Sequence, residues 1–239
     1  MSIIYEPSGK AKEYSELAVN LYTGCSHKCL YCYCPSIMRT TMQKWSALPH
    51  PRTNVIKLLE KDAEKLYGTD KEVLFSFMTD SYQSDEAAFL TRNALLILER
   101  NAFQNVTILT KAGFRAVKDF DILQRNNWKF AQTIIMQTEE DRAHWEPGAS
   151  SIASRYIAVK LAKERGIKTW VSVEPVVDAV EALKVIYDLK QYVDHWKIGK
   201  LNHMPAIEKN IDWHKFYHDV VKELNGYSYY IKKDLAKYA

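Results

Sequence analysis

The sequence predicts an α/β fold, a partial and open TIM-like (β/α)6 barrel that occupies residues 1–239 as a single domain. Short segments rich in β-branched and aromatic residues alternate with longer segments whose apolar residues recur at helical spacing. Strands and helices that alternate in this way form parallel sheets with right-handed connections. The length of 239 residues also suits one α/β barrel with little attached.

Six segments are predicted as the strands of this barrel because each is short and rich in β-branched or aromatic residues. Tyr227–Lys232 is a candidate seventh strand. The six are Leu17–Thr23, Val73–Met78, Val106–Thr110, Phe130–Met136, Thr169–Val173 and His195–Ile198.

Four segments between the strands are predicted as helices from the spacing of their apolar residues. They are Val55–Lys65, Asp85–Arg100, Ala153–Arg165 and Ala179–Tyr192. The segment 35–51 is instead polar, bounded by prolines and irregular. Connections of this length are often functional, so we expect either a lid or partner loop over the site or an ordinary connection.

Composition predicts a globular protein, and the lack of a signal-peptide pattern favours the cytoplasm. Hydrophobic residues make up 47% and charged residues 26% of the chain. No apolar run is long enough to span a membrane, and the polar N-terminus predicts no signal peptide. The net charge of +4 is only a weak indication of a polyanionic partner.

The most specific motif is a group of cysteines in the first predicted β/α loop. Cys25, Cys29 and Cys32 are separated by three and then two residues. Three thiolates can bind three irons of a four-iron cluster and leave the fourth iron open to another ligand. A structural zinc site, which usually draws Cys and His pairs from two places, and a disulfide are the alternatives. Active sites of such barrels lie at these strand ends.

Other short motifs follow in a fixed order along the chain. They are Asn20-Leu21-Tyr22-Thr23-Gly24-Cys25-Ser26-His27, Thr79-Asp80-Ser81-Tyr82-Gln83 with Glu86, Thr110-Lys111, Glu146-Pro147-Gly148-Ala149-Ser150 with Arg155, and Glu174-Pro175. Together with the cysteines, this ordered set resembles the radical S-adenosylmethionine (SAM) superfamily. Within it, the set is similar to proteins related to spore photoproduct lyase, described as DNA-repair photolyase-like.

The resemblance implies a [4Fe-4S] cluster on Cys25, Cys29 and Cys32, with SAM held at the open iron. It implies reductive cleavage of SAM to a 5'-deoxyadenosyl radical, which abstracts a hydrogen atom from a substrate. A nucleic acid or nucleotide is the first substrate class, and a peptide or small metabolite is the alternative. The expected partners are SAM and a reductant such as flavodoxin or ferredoxin. A non-catalytic iron–sulfur electron carrier or structural metal protein remains a different class of hypothesis.

The same resemblance implies which side chains contact SAM. Thr79 and Asp80 are expected at its amino group, although Asp80 could instead cap the next helix. Lys111 is expected at the carboxylate or ribose. The remaining candidates are Tyr31 near adenine, Thr133 near the ribose, Arg155 at a carboxylate or paired with Glu146, Glu174 facing the site or in a surface turn, and Lys197 in the strand-end segment that includes Gly199.

Two residues are candidates for catalysis beyond the cofactors. Spore photoproduct lyase uses a cysteine well downstream of its cluster to return a hydrogen atom, but this chain has no cysteine after Cys34. Cys34 is therefore a candidate hydrogen donor, with an inert buried thiol and an alternative cluster ligand as the other interpretations. Tyr82 is a candidate redox relay, or else a packed aromatic residue.

Overall fold

The computed structural model describes residues 2–239. Its strands, in chain order, are β1 (Ile4–Tyr5), β2 (Leu17–Val19), β3 (Tyr22–Thr23), β4 (His50–Pro51), β5 (Glu72–Phe75), β6 (Asn105–Thr110), β7 (Lys129–Thr133), β8 (Lys168–Val176), β9 (His195–Lys200) and β10 (Tyr229–Ile231).

One open eight-stranded sheet forms the centre of the molecule, in the order β1-β2-β5-β6-β7-β8-β9-β10. Every neighbouring pair is parallel except β1 with β2. Within residues 2–239 the edge strands β1 and β10 do not pair, so the barrel stays open. The prediction of a partial barrel is confirmed, and the seventh parallel strand is β10.

Helices follow the strands as the alternating pattern predicts. They are α1 (Cys34–Ile37), α2 (Met42–Ala47), α3 (Val55–Lys65), α4 (Asp85–Arg100), α5 (Phe120–Arg125), α6 (Glu139–Trp145), α7 (Ile152–Glu164), α8 (Ala179–Leu189), α9 (Pro205–Glu208), α10 (Trp213–Glu223) and α11 (Lys233–Ala236), with 3₁₀ turns at Gly9–Glu13, Gly113–Asp119 and Lys190–Tyr192. Among residues 2–239, no helix combines the length and apolar character needed to cross a membrane.

The structure differs from the sequence prediction at the first strand. The strand ends at Val19, and Tyr22–Thr23 leave the sheet to pair with His50–Pro51. The side chain of Asn20 marks the break, because its Oδ1 accepts a hydrogen bond from the backbone of Met78 at 3.2 Å. The segment 35–51 is also more ordered than predicted, since it contains α2 and most of α1.

Two apolar clusters lie between the sheet and its helices, and they flank different halves of the sheet. One includes Phe75, Leu98 and Phe130, and the other includes Trp196 and Phe216. The concave side of the sheet holds only a small apolar group of Leu74, Ala131 and Trp170. Burial therefore stabilises the outer layer, and the inner face is left for a cavity.

A strap, residues 9–14, crosses the open side of the barrel. It precedes β2 at one edge of the sheet and binds the elements at the other edge. Glu13 Oε2 accepts hydrogen bonds from Tyr230 Oη at 2.8 Å and from the Lys233 backbone at 3.0 Å. Lys197 Nζ donates to the Tyr14 carbonyl at 2.9 Å, and Lys10 pairs with Asp234. The strap thus joins the two edges that the sheet leaves apart.

We expect Glu13→Ala to loosen the strap, because the Tyr230 hydroxyl and the Lys233 amide lose their acceptor. Each lost hydrogen bond costs about 1 kcal/mol. Hydrogen exchange measured by mass spectrometry should accelerate at residues 9–14 and stay unchanged in α4. Glu6→Ala, in the same N-terminal region but outside the strap, is the control. Unchanged exchange at residues 9–14 in the Glu13 variant would contradict the assigned contacts.

Candidate active site

A cavity of about 520 Å³ opens at the carboxyl ends of the parallel strands. Its walls come from the residues that follow β5, β6, β7, β8 and β9, from the cluster loop (residues 24–33) and from the strap. This is the edge where parallel α/β barrels place their active sites. Most of the side chains that the sequence motifs singled out therefore meet in one place.

Cys25, Cys29 and Cys32 all line this cavity, and none forms a disulfide. Burial raises the pKa of Cys25 to about 12, while a hydrogen bond with the Cys34 thiol lowers the pKa of Cys32 to about 7. In residues 2–239, no three His, Cys, Asp or Glu side chains converge as ligands of a single metal ion. A cluster needs no such convergence, because each thiolate binds a different iron. Three free thiols of one loop facing one cavity thus fit a [4Fe-4S] cluster with an open iron.

Residues 145–148 hold the cluster loop from one side. The Leu30 amide donates to the Trp145 carbonyl at 2.9 Å, and the Gly148 amide donates to the His27 carbonyl at 2.9 Å. A Cβ at Gly148 would lie 2.2 Å from the Ser26 carbonyl oxygen. Only glycine allows the two segments to approach this closely.

Gln83 holds the cluster loop from the opposite side. Its Oε1 accepts a hydrogen bond from the Ser26 amide at 2.7 Å, and its Nε2 donates to the Gly24 carbonyl at 3.3 Å. The glutamine of the Thr79–Gln83 motif therefore fixes the path of the loop that carries the cysteines.

A buried ion pair anchors the aromatic residue between the last two cluster cysteines. Arg155 Nη1 lies 2.5 Å from Glu146 Oε2, and both side chains are fully buried. Glu146 Oε1 accepts a hydrogen bond from Tyr31. Burial raises the pKa of Glu146, but Arg155 and Lys111 lower it by more, so the net shift is downward and the carboxylate stays charged. The chain Arg155–Glu146–Tyr31 links α7 to the cluster loop.

Asp80 lies in the cavity wall, but its carboxylate is already bound by the protein. Oδ1 accepts from Thr110 Oγ1 and the Tyr82 amide at 2.7 and 2.8 Å, and Oδ2 accepts from the Lys111 amide at 2.7 Å. The alternative that Asp80 caps the next helix is wrong, since Ser84 caps α4 through the Ala87 amide. Asp80 instead ties the end of β6 to the segment that follows β5.

Thr79, Lys111 and Thr133 line the cavity beside Asp80. The Lys111 ammonium makes no hydrogen bond or ion pair within residues 2–239, and it lies 5.8 Å from the centre of the Tyr31 ring. Burial lowers the pKa of Lys111, whereas Cys29, Glu146 and Asp80 raise it by more, so the net shift is upward. A cation without a partner thus faces the cavity next to the cluster loop.

Glu174 lies at the far end of the cavity and is held by residues that sequence reasoning missed. Its carboxylate accepts hydrogen bonds from Lys232 Nζ at 2.8 Å and from Tyr14 Oη, which also lies 3.1 Å from Ser172 Oγ. Gly199 makes room for this carboxylate, because a Cβ there would lie 2.6 Å from Glu174 Cδ. The sequence could have indicated Lys232 as a site residue, because it is the polar residue at the end of the candidate seventh strand. Tyr14 lies in a segment that has no motif and no strand or helix periodicity.

Three predicted site residues do not line the cavity. Tyr82 is fully buried in the outer core, where its hydroxyl donates to Asp119 at 2.9 Å. Arg155 lies behind Glu146. Lys197 binds the strap and stacks on Tyr14 and Trp170, with its Nζ 4.7 and 4.6 Å from the ring centres. Arg155 and Lys197 therefore hold Glu146 and the strap, whereas Tyr82 belongs to the outer core.

Cys34 does line the cavity, next to the cluster loop. Its thiol is only 2% exposed and lies 3.2 Å from the Met78 carbonyl oxygen. The hydrogen bond with Cys32 raises the pKa of Cys34, so its thiol stays protonated. A buried S–H group therefore faces the same space as the three cluster cysteines.

Comparisons with known proteins agree with this geometry. The sequence model described as the radical SAM superfamily matches residues 19–184. An uncharacterised protein of Methanocaldococcus jannaschii, MJ0683, is 25% identical over 192 residues, which are 79% of this chain and 71% of that protein.

Solved structures of low sequence identity share the fold. Spore photoproduct lyase complexed with dinucleoside spore photoproduct superimposes with a TM-score of 0.67 at 15% identity, over 95% of this chain and 79% of that chain. SuiB of Streptococcus suis bound to S-adenosylmethionine gives a TM-score of 0.63 at 11% identity, over 90% of this chain and 49% of that chain.

We expect Arg155→Met to lower the free energy of unfolding by about 3–5 kcal/mol, because the Glu146 carboxylate is left buried without a countercharge. The double variant with Glu146→Gln removes both charges and should be less destabilised than the single variant. Urea unfolding of the two single variants and the double variant measures the coupling. Additive losses would show that the pair does not interact.

Gly148→Ala should displace the cluster loop, since the new methyl group overlaps the Ser26 carbonyl. Overpacking of this kind costs about 1–3 kcal/mol. We expect less iron and sulfide bound per chain after anaerobic reconstitution. The matched control is Gly166→Ala, where a Cβ meets nothing within 4 Å although the φ of +72° strains the backbone. Equal iron content in both variants would contradict the proposed role of Gly148.

Proposed function

Because this chain belongs to the radical SAM superfamily, whose members use a [4Fe-4S] cluster and SAM, we propose that it is an enzyme that cleaves SAM reductively. The observation that carries the proposal is the meeting of three free cysteines with strand-end polar groups in one cavity. A pure electron carrier would have no use for a cation without a partner beside its cluster loop.

When bound, the cluster and SAM supply a 5'-deoxyadenosyl radical that abstracts a hydrogen atom from the substrate. The chain's own residues bind and orient these groups. Cys25, Cys29 and Cys32 are the proposed cluster ligands. The Lys111 ammonium is available for the carboxylate of SAM, and the Thr79 hydroxyl for its amino group.

The far side of the cavity is proposed to hold the nucleoside part of SAM. Thr133 lines the wall between Lys111 and Glu174, where a hydroxyl can bind a ribose. The Glu174 carboxylate is kept in place by Tyr14 and Lys232, so it is preorganised as an acceptor. Tyr31, within the cluster loop, offers an aromatic surface that the adenine of SAM could contact.

For the substrate we propose a nucleotide or nucleic acid. Of the five lysines in the cavity lining, Lys10, Lys200 and Lys232 pair with carboxylates, whereas Lys28 and Lys111 do not, and these two favour an anionic ligand. The related fold of spore photoproduct lyase is known with a dinucleoside bound. A peptide or small metabolite is the alternative that the experiment below separates.

Cys34 is the proposed hydrogen donor within this reaction. Its S–H bond breaks and the hydrogen atom passes to the substrate radical, so that a thiyl radical remains on sulfur. One electron from the external reductant and a proton return the thiyl radical to the thiol, so that 5'-deoxyadenosine remains as a product. The support is positional, since the protonated thiol lines the same cavity as the cluster cysteines.

The test is anaerobic reconstitution with iron and sulfide, followed by dithionite and SAM, with 5'-deoxyadenosine measured by chromatography. We expect the wild type to form 5'-deoxyadenosine, and Cys29→Ala to lose both cluster and product. Cys34→Ala should keep its iron content and its uncoupled SAM cleavage, because Cys34 is not one of the proposed ligands. A fully loaded cluster without SAM cleavage would overturn the proposed function.

The same assay tests the substrate class. A nucleotide or oligonucleotide substrate should raise 5'-deoxyadenosine formation, and an oligonucleotide should bind less tightly as salt increases. Stimulation by a peptide or uncharged metabolite alone would favour the alternative.

A further inference from the structure

The segment 35–51 contributes to the active-site cavity, although none of the cofactor contacts proposed above belongs to it. Ile37, Met42 and Trp45 line the cavity, whereas the two cations of the segment, Arg39 and Lys44, do not. We call Ile37, Met42 and Trp45 the apolar wall. The segment therefore brings apolar surface, and no charge, to the cavity.

The apolar wall is exposed where it meets the cavity. Ile37 is 62% exposed, which is unusual for a large aliphatic side chain. Met42 and Trp45 are three residues apart on α2, so they project from the same side of that helix. Apolar side chains that line a cavity next to a few polar groups are typical of a ligand-binding site.

The apolar wall is held against the cluster loop. The Trp45 carbonyl accepts a hydrogen bond from the Cys25 amide at 3.3 Å. A Cβ at Gly24 would lie 2.6 Å from the same carbonyl oxygen, so only glycine allows this approach. A ligand on the wall would therefore lie beside the first of the three cluster cysteines.

The proposed cofactor contacts come from other elements of the cavity. Thr79 and Lys111 follow β5 and β6, while Thr133 and Glu174 lie on β7 and β8. All four side chains are polar, as the polar groups of SAM require. The apolar wall is thus the part of the cavity that the proposed cofactor contacts leave free for a substrate.

Lys28 adds one cation to this free part of the cavity. It belongs to the cluster loop three residues after Cys25, and it lines the cavity. Its side chain is exposed, and its ammonium makes no hydrogen bond or ion pair within residues 2–239. Because Lys111 is already proposed for the carboxylate of SAM, Lys28 is available for an anionic group of the substrate.

We propose that the apolar wall and Lys28 together bind one unpaired nucleotide, with its base against the wall and its phosphate at Lys28. This inference rests on the proposed function, because it assigns the substrate subsite of the same cavity. Bases pack their flat faces on apolar and aromatic side chains, and lysine binds phosphate. An apolar peptide side chain would fit the wall but has no anion for Lys28.

The size of the cavity explains why the nucleotide is unpaired. Its volume of about 520 Å³ is typical of a pocket for a small molecule. Enzymes that modify a base in such a pocket act on a single strand or on a base extruded from the duplex. A free nucleotide and a nucleotide within a single strand have this chemistry in common, and the experiment distinguishes them.

The experiment measures binding by anaerobic calorimetry to the reconstituted enzyme with SAM and without a reductant. The ligands are a single-stranded hexanucleotide of mixed sequence, its duplex with the complementary strand, and the same single strand with uncharged methylphosphonate linkages. The four 2'-deoxynucleoside 5'-monophosphates are measured in parallel. Iron bound per chain is determined for every variant, so that loss of the cluster is recognised.

Two pairs of variants separate the wall from the cation. Ile37→Ser/Met42→Ser removes most of the apolar wall, and its matched control is Met38→Ser/Leu48→Ser, at exposed positions of the same segment that do not line the cavity. Lys28→Gln removes the cation. Its control is Lys44→Gln, at an exposed lysine outside the cavity lining.

We expect Ile37→Ser/Met42→Ser to bind both single strands about tenfold more weakly than the wild type, because the base loses its apolar contact. Lys28→Gln should weaken binding of the phosphate strand only. It should also reduce the slope of log K against log salt by about 0.7, the value for one phosphate contact with a single strand. Both controls should bind as the wild type does, and the duplex should bind more weakly than the single strand.

The proposal fails if the wall variant binds as tightly as its control, or if Lys28→Gln weakens the charged and uncharged strands equally. Binding of the duplex as tight as that of the single strand would also overturn it. Tighter binding of a monophosphate than of the strand supports the subsite and identifies a free nucleotide as its ligand. The reverse order supports the subsite and identifies a single strand.

Failure of the proposed function gives a different result. In that case dithionite and SAM produce no 5'-deoxyadenosine even in the wild type, whereas the binding measurements still report on the apolar wall and Lys28. A wild type that forms 5'-deoxyadenosine but binds none of the nucleotides would overturn the subsite alone.

Discussion

The buried pair of Arg155 and Glu146 is the constraint on which the site depends. Two opposite charges removed from water are tolerated only when each keeps its partner, so their relative position is fixed. Glu146 in turn accepts a hydrogen bond from Tyr31, which fixes that side chain, and the backbone amide of nearby Gly148 binds the cluster loop. The geometry of the cluster loop therefore depends on the Arg155–Glu146 ion pair behind Tyr31 and not on the cysteines alone.

The order of the short motifs along the chain has a mechanical explanation in this structure. Gln83 binds the cluster loop, Asp80 binds the start of the loop after β6, and the Ser150 amide donates to the Lys111 carbonyl at 3.1 Å. Each strand-end loop is thus held by the next one around the barrel. Several motif residues that the sequence suggests as cofactor contacts instead hold the loops together. These loops bring Thr79 and Lys111 to the cavity.

The sequence was sufficient for the fold because strand and helix periodicity are local signals. The helices at 55–65 and 85–100 have the predicted bounds, and the cluster cysteines lie after the first parallel strand as expected. For Arg155 and Tyr82 the sequence left two roles open, and the structure shows the ion pair with Glu146 and the packed aromatic residue. The contact of Lys197 with the strap could not be predicted, since a motif does not show which way a side chain points. Tyr14 was missed because its contacts with Glu174 and Ser172 join positions about 160 residues apart.

The strap also has a consequence for the order of biosynthesis. Its contacts join Glu13 to Tyr230 and Lys233, at sequence separations of 217 and 220 residues. They are among the last to become possible as the chain emerges from the ribosome, after every parallel strand has been made. Until then the side of the barrel that the strap crosses stays open, so the loop that carries the three cysteines, which is made early, is accessible from that side before the wall is complete.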